Sequence, residues 1–403
     1  MDPLELLSQL HRTSSKKIIL LILDGLGGLP MQAGGETSLE AASTPNLDRL
    51  AQEGTTGQTI PISLGITPGS GPAHLALFGY DPLVNDVGRG VLEATGVGMQ
   101  IAKGDVAARG NFCTLDDDGL ITDRRAGRIP TDAALPIVDR LREIEIPGYA
   151  FEIQHVREYR FALVARGSGL EPNLADTDPQ QVGLAPFEVI PKETQSRLSA
   201  ELFNQWIEAS RSVLAEESEA NGLTLRGFST NPELPQFGSR YGLNAACIAV
   251  YPMYRGVASL VGMEILDFEG ERPEDEFAAL GARWDDFDFA FIHIKATDSR
   301  GEDGDFEGKV AVIEGVDQQL VQLMELNPAV LAVTGDHSTP ARMRSHSWHP
   351  VPLLLWAPDT IQPDESSSFG ERVCAQGGLG TIPAKSLMAL LLGHAGRLHK
   401  FGA

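Results

Sequence analysis

The sequence predicts an α/β protein: a mostly parallel sheet flanked by helices, interrupted by a smaller inserted α+β domain. Three observations predict it. Short aliphatic runs bounded by turn formers recur toward both chain ends, as in strands buried on both faces. Strand and helix patterns alternate in those regions, as crossover-connected parallel sheets require. Between them the texture changes to hairpin-like alternation. A chain of 403 residues also exceeds what one small core organises, so two domains are expected.

The elements follow in order. Residues 1–14 read as a short polar lead-in helix, and Lys16 to Leu23 as the first core strand, stopping at Asp24. Thr44-Pro45-Asn46-Leu47 opens a helix, with Thr44 as its cap and Pro45 at the first helical position. Thr67 to Pro72 is a turn followed by the helical run AHLALFGY, and Gly88 to Gly98 reads as a hinge. From about residue 100, GDVAARGNFCTLDDDGLITDRRAG alternates like a hairpin turning at 116–119. FEIQHVREYRFALVARG gives two more strands, and the segment from Glu193 to Glu217 has the apolar spacing of a long surface helix. After about residue 243 come the strands NAACIAVY, FDFAFIHI, AVLAVT and PVPLLLW, with an amphipathic helix from Phe306. The expected domains are 1–90 with 243–403, and the insertion 91–242.

Composition narrows the function. A net charge of −23 disfavours nucleic acid, which needs a basic surface. No apolar stretch reaches membrane-spanning length, and MDPLELLSQLHRTSSKK has no signal-peptide core, so a cytoplasmic protein without a membrane partner is expected. Cys113, Cys247 and Cys374 are too scattered for a disulfide framework or a zinc cluster and read as buried thiols. The oligomeric state stays open, a homo-oligomer included.

Four of the aliphatic runs stop at, or start just after, a metal-ligating type of residue. Asp24 ends the first; Asp298 and Glu302 follow the run 287–294; Asp336 and His337 follow AVLAVT; His346 precedes PVPLLLW. An open α/β sheet places its ligand site at such strand ends. A single strand-end Asp or His often only caps a helix. Six together, beside Thr-Gly-Asp-His-Ser-Thr-Pro, suit hard divalent ions, and their number suits two. Ser70 lies between glycines at a turn into a helix, where its hydroxyl is accessible and an incoming phosphate is favoured. Metal coordination would activate such a serine as a nucleophile, giving metal-dependent phosphoryl transfer. Asp123 to Arg128 places three arginines within six residues, and Arg157, Arg160 and Arg166 lie in the same middle segment. Their forked donors suit phosphate or carboxylate, although a solvated basic turn would look the same.

The motifs LILDGLGG, STPNLDRLA, TPGSGPAHLALFGYDP, GRGVLEATGVG, GDVAARGNF, TDRRAGRI, ADTDP, AVYPMYRGVA, DGDFEGKV, TGDHSTP and SHSWHPVPLLLW run over nearly the whole chain. Together they resemble the archaeal-type 2,3-bisphosphoglycerate-independent phosphoglycerate mutases of the alkaline phosphatase superfamily. The resemblance implies an alkaline-phosphatase-like sheet and the interconversion of 3-phosphoglycerate and 2-phosphoglycerate in glycolysis and gluconeogenesis, without 2,3-bisphosphoglycerate. It implies Ser70 as the phosphorylated nucleophile. Asp24, Asp336 and His337 would hold the metal that also touches Ser70, and Asp298 and His346 the second. Asp123, Arg124, Arg128 and Arg160 would clamp the substrate, and Arg255 would assist the serine. Glu302 stands where the family has a histidine. That favours Mn²⁺ or Mg²⁺, with Zn²⁺ a further option, and leaves Glu302, Asp303 and His349 as alternatives for completing the second site. Closure of the two domains would keep water from the phosphoserine. The rival readings are a phosphatase or phosphotransferase acting on another small phosphate ester, and a non-catalytic metal-binding relative.

Overall fold

The computed structural model describes residues 3–85 and 87–402. The chain divides into two compact units, residues 1–86 with 234–403 and residues 87–233. The strands in chain order are β1 (Ile18–Leu23), β2 (Thr55–Ile60), β3 (Val106–Leu115), β4 (Ile121–Asp123), β5 (Ala150–Arg157), β6 (Arg160–Arg166), β7 (Gly222–Ser229), β8 (Ala245–Ala249), β9 (Glu264–Ile265), β10 (Phe289–Ile294), β11 (Val330–Thr334), β12 (Val351–Trp356) and β13 (Gly380–Pro383).

The first unit is built on an eight-stranded sheet in the order β13-β2-β12-β11-β1-β10-β8-β9. Every residue of β1, β10 and β11 is buried, which is why these strands read as unbroken aliphatic runs. Ile19, Leu21 and Leu23 pack with Ile248, Ile292 and Leu331 of neighbouring strands. Ile313, Val316, Leu320 and Leu323 of helix Phe306–Glu325 cover that face.

Strand direction positions the site. β1 runs parallel to both β10 and β11, with Leu23 beside Ile294 and Ile22 beside Thr334. Asp24, Lys295 with Asp298 in the helix Ala296–Asp303 that follows β10, and Asp336-His337 therefore emerge at one end of the sheet. β12 is antiparallel to both its neighbours, β11 and β2. Its start, not its finish, lies at that end of the sheet, so the residue it delivers there, His346, precedes the strand. The sheet is mostly parallel, as the sequence predicts.

The second unit is an antiparallel sheet in the order β4-β3-β6-β5, with β7 also on β3. Phe203 and Trp206 of helix Arg197–Leu214 are buried against Phe151, and Trp206 also meets Phe161. The hairpin turning at 116–119 and the two strands from Phe151 are present as read from the sequence.

Other expectations need correcting. The supposed hinge at Gly88 to Gly98 is the helix Arg89–Gly96. Its glycine signal has a packing cause: a Cβ on Gly90 would lie 2.4 Å from the Ala107 carbonyl oxygen of β3. Thr44 holds the N-cap position before Pro45, but its side chain makes no capping bond to the helix backbone and instead approaches the Asp48 carboxylate at 3.4 Å. The lead-in helix is Pro3–Leu10, and residues 1–2 of that expectation lie outside the described residues. The units divide at 86/87 and 233/234, four residues ahead of the expected 90 and nine ahead of the expected 242. All three cysteines are buried and unpaired, and no helix among the described residues is long and apolar enough to cross a membrane.

Glu276, in helix Pro273–Arg283, is 1% exposed and has a carboxylate oxygen with no partner. Burial, with a smaller push from Asp275, raises its pKa to about 9. A raised carboxyl stabilises fully below its unfolded pKa and loses that stability as pH climbs through the folded value. Thermal unfolding of wild type and Glu276→Gln at pH 5 and pH 9 should show the glutamine variant gaining on wild type as pH rises. Parallel pH profiles would contradict this.

Candidate active site

Ser70 is the first residue of helix Ser70–Leu77, entered from Pro68 and Gly69. Its Oγ lies 3.2 Å from Nε2 of His337. Two residue trios surround that imidazole. Asp24, Asp336 and His337 form one, Asp298, His337 and His346 the other, and within each the candidate ligand atoms lie within 4.8 Å of one another. His337 belongs to both, and its ring stacks on that of His346 with centroids 3.6 Å apart.

Hydrogen bonds fix the imidazole tautomers. Thr339 has one hydroxyl proton, and its Oγ1 lies 2.6 Å from Asp298 Oδ1, where only Thr339 can donate. Its 3.0 Å contact with His337 Nδ1 is then a bond it accepts, so Nδ1 carries the proton. His346 Nδ1 lies 3.1 Å from the Pro68 carbonyl and His74 Nδ1 2.8 Å from the Ser70 carbonyl, which fixes both in the same form. His337 and His74, which burial keeps neutral, thus have an unprotonated Nε2, and His346 turns its own Nε2 toward the second trio. That of His337 lies 3.3 Å from Asp24 and 3.2 Å from Asp336, and that of His346 3.6 Å from Asp298. This is the ligand-ready state of a metal-binding histidine.

The carboxylates are compressed. Asp24, Asp298 and Asp336 are each at most 1% exposed. Lys295 Nζ lies 3.0 Å from Asp24 Oδ2 and also donates to Asp298, so one ammonium joins an acid of each trio. Tyr254 donates its hydroxyl to Asp24. Burial opposes ionisation of Asp24, but its interactions, led by the Lys295 ammonium, outweigh it and hold its pKa well below the usual range. Asp336 is pushed well above that range by burial and by the charge on Asp24. Burial takes His74 down to about 3 and lowers His337 and His293 as well, so these rings are neutral.

Glu302 Oε1 lies 3.7 Å from His346 Nε2 at the exposed side of the second trio, and burial followed by the Asp298 charge raises its pKa. Asp303 is exposed. His349 bonds Ser347 through Nδ1 and stacks on Trp348, outside either trio. Arg255 pairs with Asp267 rather than Ser70. In the second unit, Asp123 accepts the backbone N–H groups of Arg125 and Gly127, so its carboxylate shapes the turn. Arg124 forms a two-pronged pair with Asp178, which Arg226 also approaches at 3.3 Å. Arg160 pairs with Glu158 at 3.2 Å, whereas Arg128 is exposed without an ion pair among the described residues.

Residues 51–220 match the family model PhosphMutase, described as 2,3-bisphosphoglycerate-independent phosphoglycerate mutase. The chain is 47% identical over 409 residues to an Aquifex aeolicus protein named a probable 2,3-bisphosphoglycerate-independent phosphoglycerate mutase, covering 99% of this chain and 100% of that one. It is 49% identical to a Thermus thermophilus protein of the same name, covering 100% of both. The chain belongs to the 2,3-bisphosphoglycerate-independent phosphoglycerate mutase family. A solved cofactor-independent phosphoglycerate mutase from Thermoplasma acidophilum superposes with a TM-score of 0.71 at 32% identity, covering 94% of this chain and 100% of that one. A Pyrococcus horikoshii protein superposes at 0.85 with 30% identity, covering 97% and 100%.

Sequence reasoning missed several residues that the structure brings into this cluster, namely His74, Tyr254, His293, Lys295 and Thr339. His74 lies four residues after Ser70, on the same helix face, a spacing legible in advance. Tyr254 adjoins Arg255, and a step of one helical residue decides which of the two faces the acids. His293 and Lys295 alternate at the end of β10, where a lysine on its own reads as a solvated strand end.

Thr339→Val keeps shape and removes both hydroxyl bonds. We expect mutase turnover to fall by about 10–100-fold with the fold intact by circular dichroism. Unchanged turnover would show that Thr339 does not orient His337 or Asp298.

Proposed function

We propose that the protein interconverts 3-phosphoglycerate and 2-phosphoglycerate without 2,3-bisphosphoglycerate, through phosphorylation of Ser70. Family membership supports the reaction. The choice of nucleophile rests on one observation: Ser70 Oγ, at a helix N-terminus, faces the unprotonated Nε2 of the histidine shared by both trios.

Two divalent ions fit the residues present. Among the described residues, Asp24 Oδ1 and Asp336 Oδ2 are buried oxygens with no hydrogen-bond partner, an arrangement that a cation would relieve. Asp24, Asp336 and His337 would hold one ion, and Asp298 and His346, with Glu302 as the third carboxylate, the other. The oxygen-rich sets favour Mn²⁺ or Mg²⁺ over Zn²⁺. Bound there, the ions would neutralise charge on the phosphoryl oxygens and favour the serine alkoxide.

The chain's own groups do the rest. Ser70 Oγ bonds to phosphorus as the ester oxygen of 3-phosphoglycerate departs, and the proton lost by Ser70 ends on that oxygen. The freed glycerate then presents its other hydroxyl, whose oxygen takes the phosphoryl group back while Ser70 regains a proton. The helix N-terminus behind Ser70 and the Lys295 ammonium favour the anionic phosphoryl group throughout. Asp123, Arg124, Arg128 and Arg160 are assigned to binding the substrate anion. For Asp123 that role is indirect, through the turn it shapes.

The test is a coupled enolase assay on protein reconstituted with Mn²⁺, with and without 2,3-bisphosphoglycerate, beside a phosphate-release assay. Isomerisation should need no bisphosphoglycerate and release little phosphate. Ser70→Ala should lower turnover by about 10⁴-fold or more. Full activity in Ser70→Ala, or phosphate release without isomerisation, would overturn the proposal.

A further inference from the structure

Lys309 poses a physical problem. It lies in the first turn of helix Phe306–Glu325, where a cation opposes the helix dipole, and its side chain is completely buried. Its ammonium makes no direct ion pair among the described residues. Instead it donates to three backbone carbonyls: Gly25 at 2.7 Å, Thr339 at 2.9 Å and Gly27 at 3.3 Å.

Those carbonyls belong to the two loops that carry the first trio. Gly25 and Gly27 follow Asp24 after β1, and Thr339 follows Asp336-His337 after β11. The held peptides also bond the trio residues directly. The Gly25 N–H donates to Asp336 Oδ1 at 3.1 Å, and the Thr339 hydroxyl bonds Asp298 and His337. The Thr339 N–H in turn donates to Gly25 O at 3.2 Å and Gly27 O at 3.0 Å. The clip is tight. Gly25 has φ +61°, and a Cβ there would fall 2.5 Å from Thr339 Oγ1 and 2.8 Å from Asp298 Oδ1. On the far side, the Glu371 carboxylate accepts the Gly28 N–H at 2.9 Å and offsets the Lys309 charge across the loop.

We infer that Lys309 is a positioning residue of the active site, an internal ammonium that clamps the β1 and β11 loops together and sets the spacing of Asp24, Asp336 and His337. It touches neither ligand atoms nor substrate. Its effect passes through the peptides of residues 25–27 and 339. The inference rests on the reading of the trios as metal sites.

The experiment is calorimetric titration of the full chain with Mn²⁺ alone, for wild type, Lys309→Met, Lys309→Gln and Leu320→Ala. Leu320 is a buried core residue of the same helix, so its variant reports general destabilisation. All three variants should lower the melting temperature. Lys309→Met should weaken Mn²⁺ binding by about 10–100-fold, the usual effect of removing an outer-shell partner. Lys309→Gln, which keeps an N–H donor without charge, should give a smaller loss and remains readable if the methionine variant does not fold. Leu320→Ala should bind as wild type. Wild-type affinity in the Lys309 variants overturns the inference, as does an equal loss in Leu320→Ala. Failure of wild type itself to take up Mn²⁺ overturns the metal reading, and the inference with it.

Discussion

Three carboxylates, those of Asp24, Asp298 and Asp336, are buried in one loop cluster, and the surrounding structure has to make that tolerable. Removing each charge from water costs several kcal/mol unless a partner compensates. Lys295 supplies one positive charge between Asp24 and Asp298. The imidazoles of His74, His293 and His337 supply none, because burial holds them neutral. The remaining imbalance appears as an Asp336 pushed toward protonation and as carboxylate oxygens without partners. A chain of net charge −23 could therefore still present an anion-binding centre, since divalent ions held by these acids would reverse the local sign.

The sheet explains why the acids meet. Parallel β1, β10 and β11 end together, and each releases an acid into the turn that follows. Their loops are stitched by glycine, by the Thr339 hydroxyl and by the Lys309 ammonium, with Leu26 buried in the core between them. The Ser70 helix adds its N-terminus from outside the sheet. Nucleophile, acids and imidazoles thus come from separate elements, each held by its own framework, and a small shift in one loop would be felt at all of them.

Much of this was legible in the sequence. Strands buried on both faces announce themselves as aliphatic runs, so β1, β10, β11 and β12 and the residues at their ends could be read directly. Ser70 was legible because glycine and proline mark its turn. What could not be read depends on strand direction and on facing. The sharing of His337 between trios follows from β12 running against its neighbours. The choice of Tyr254 over Arg255 is one helical step, and Lys295 and Lys309 look like surface lysines until the fold turns the first onto the acids and buries the second. Gly88 to Gly98 misled because glycine there serves close helix–strand packing, which has the same composition as a hinge. The arginines near Asp123 were recognised as a group, but the division between a turn-shaping Asp123, an Arg124 paired with Asp178 and an exposed Arg128 is tertiary.

The claim that two cations complete this centre is tested most directly by crystals grown or soaked with Mn²⁺ and measured at the manganese absorption edge. Two anomalous peaks are predicted, one among Asp24, Asp336 and His337 and the other against Asp298 and His346, with Glu302 drawn toward the second. Manganese bound elsewhere, or neither trio occupied at millimolar Mn²⁺, would contradict it.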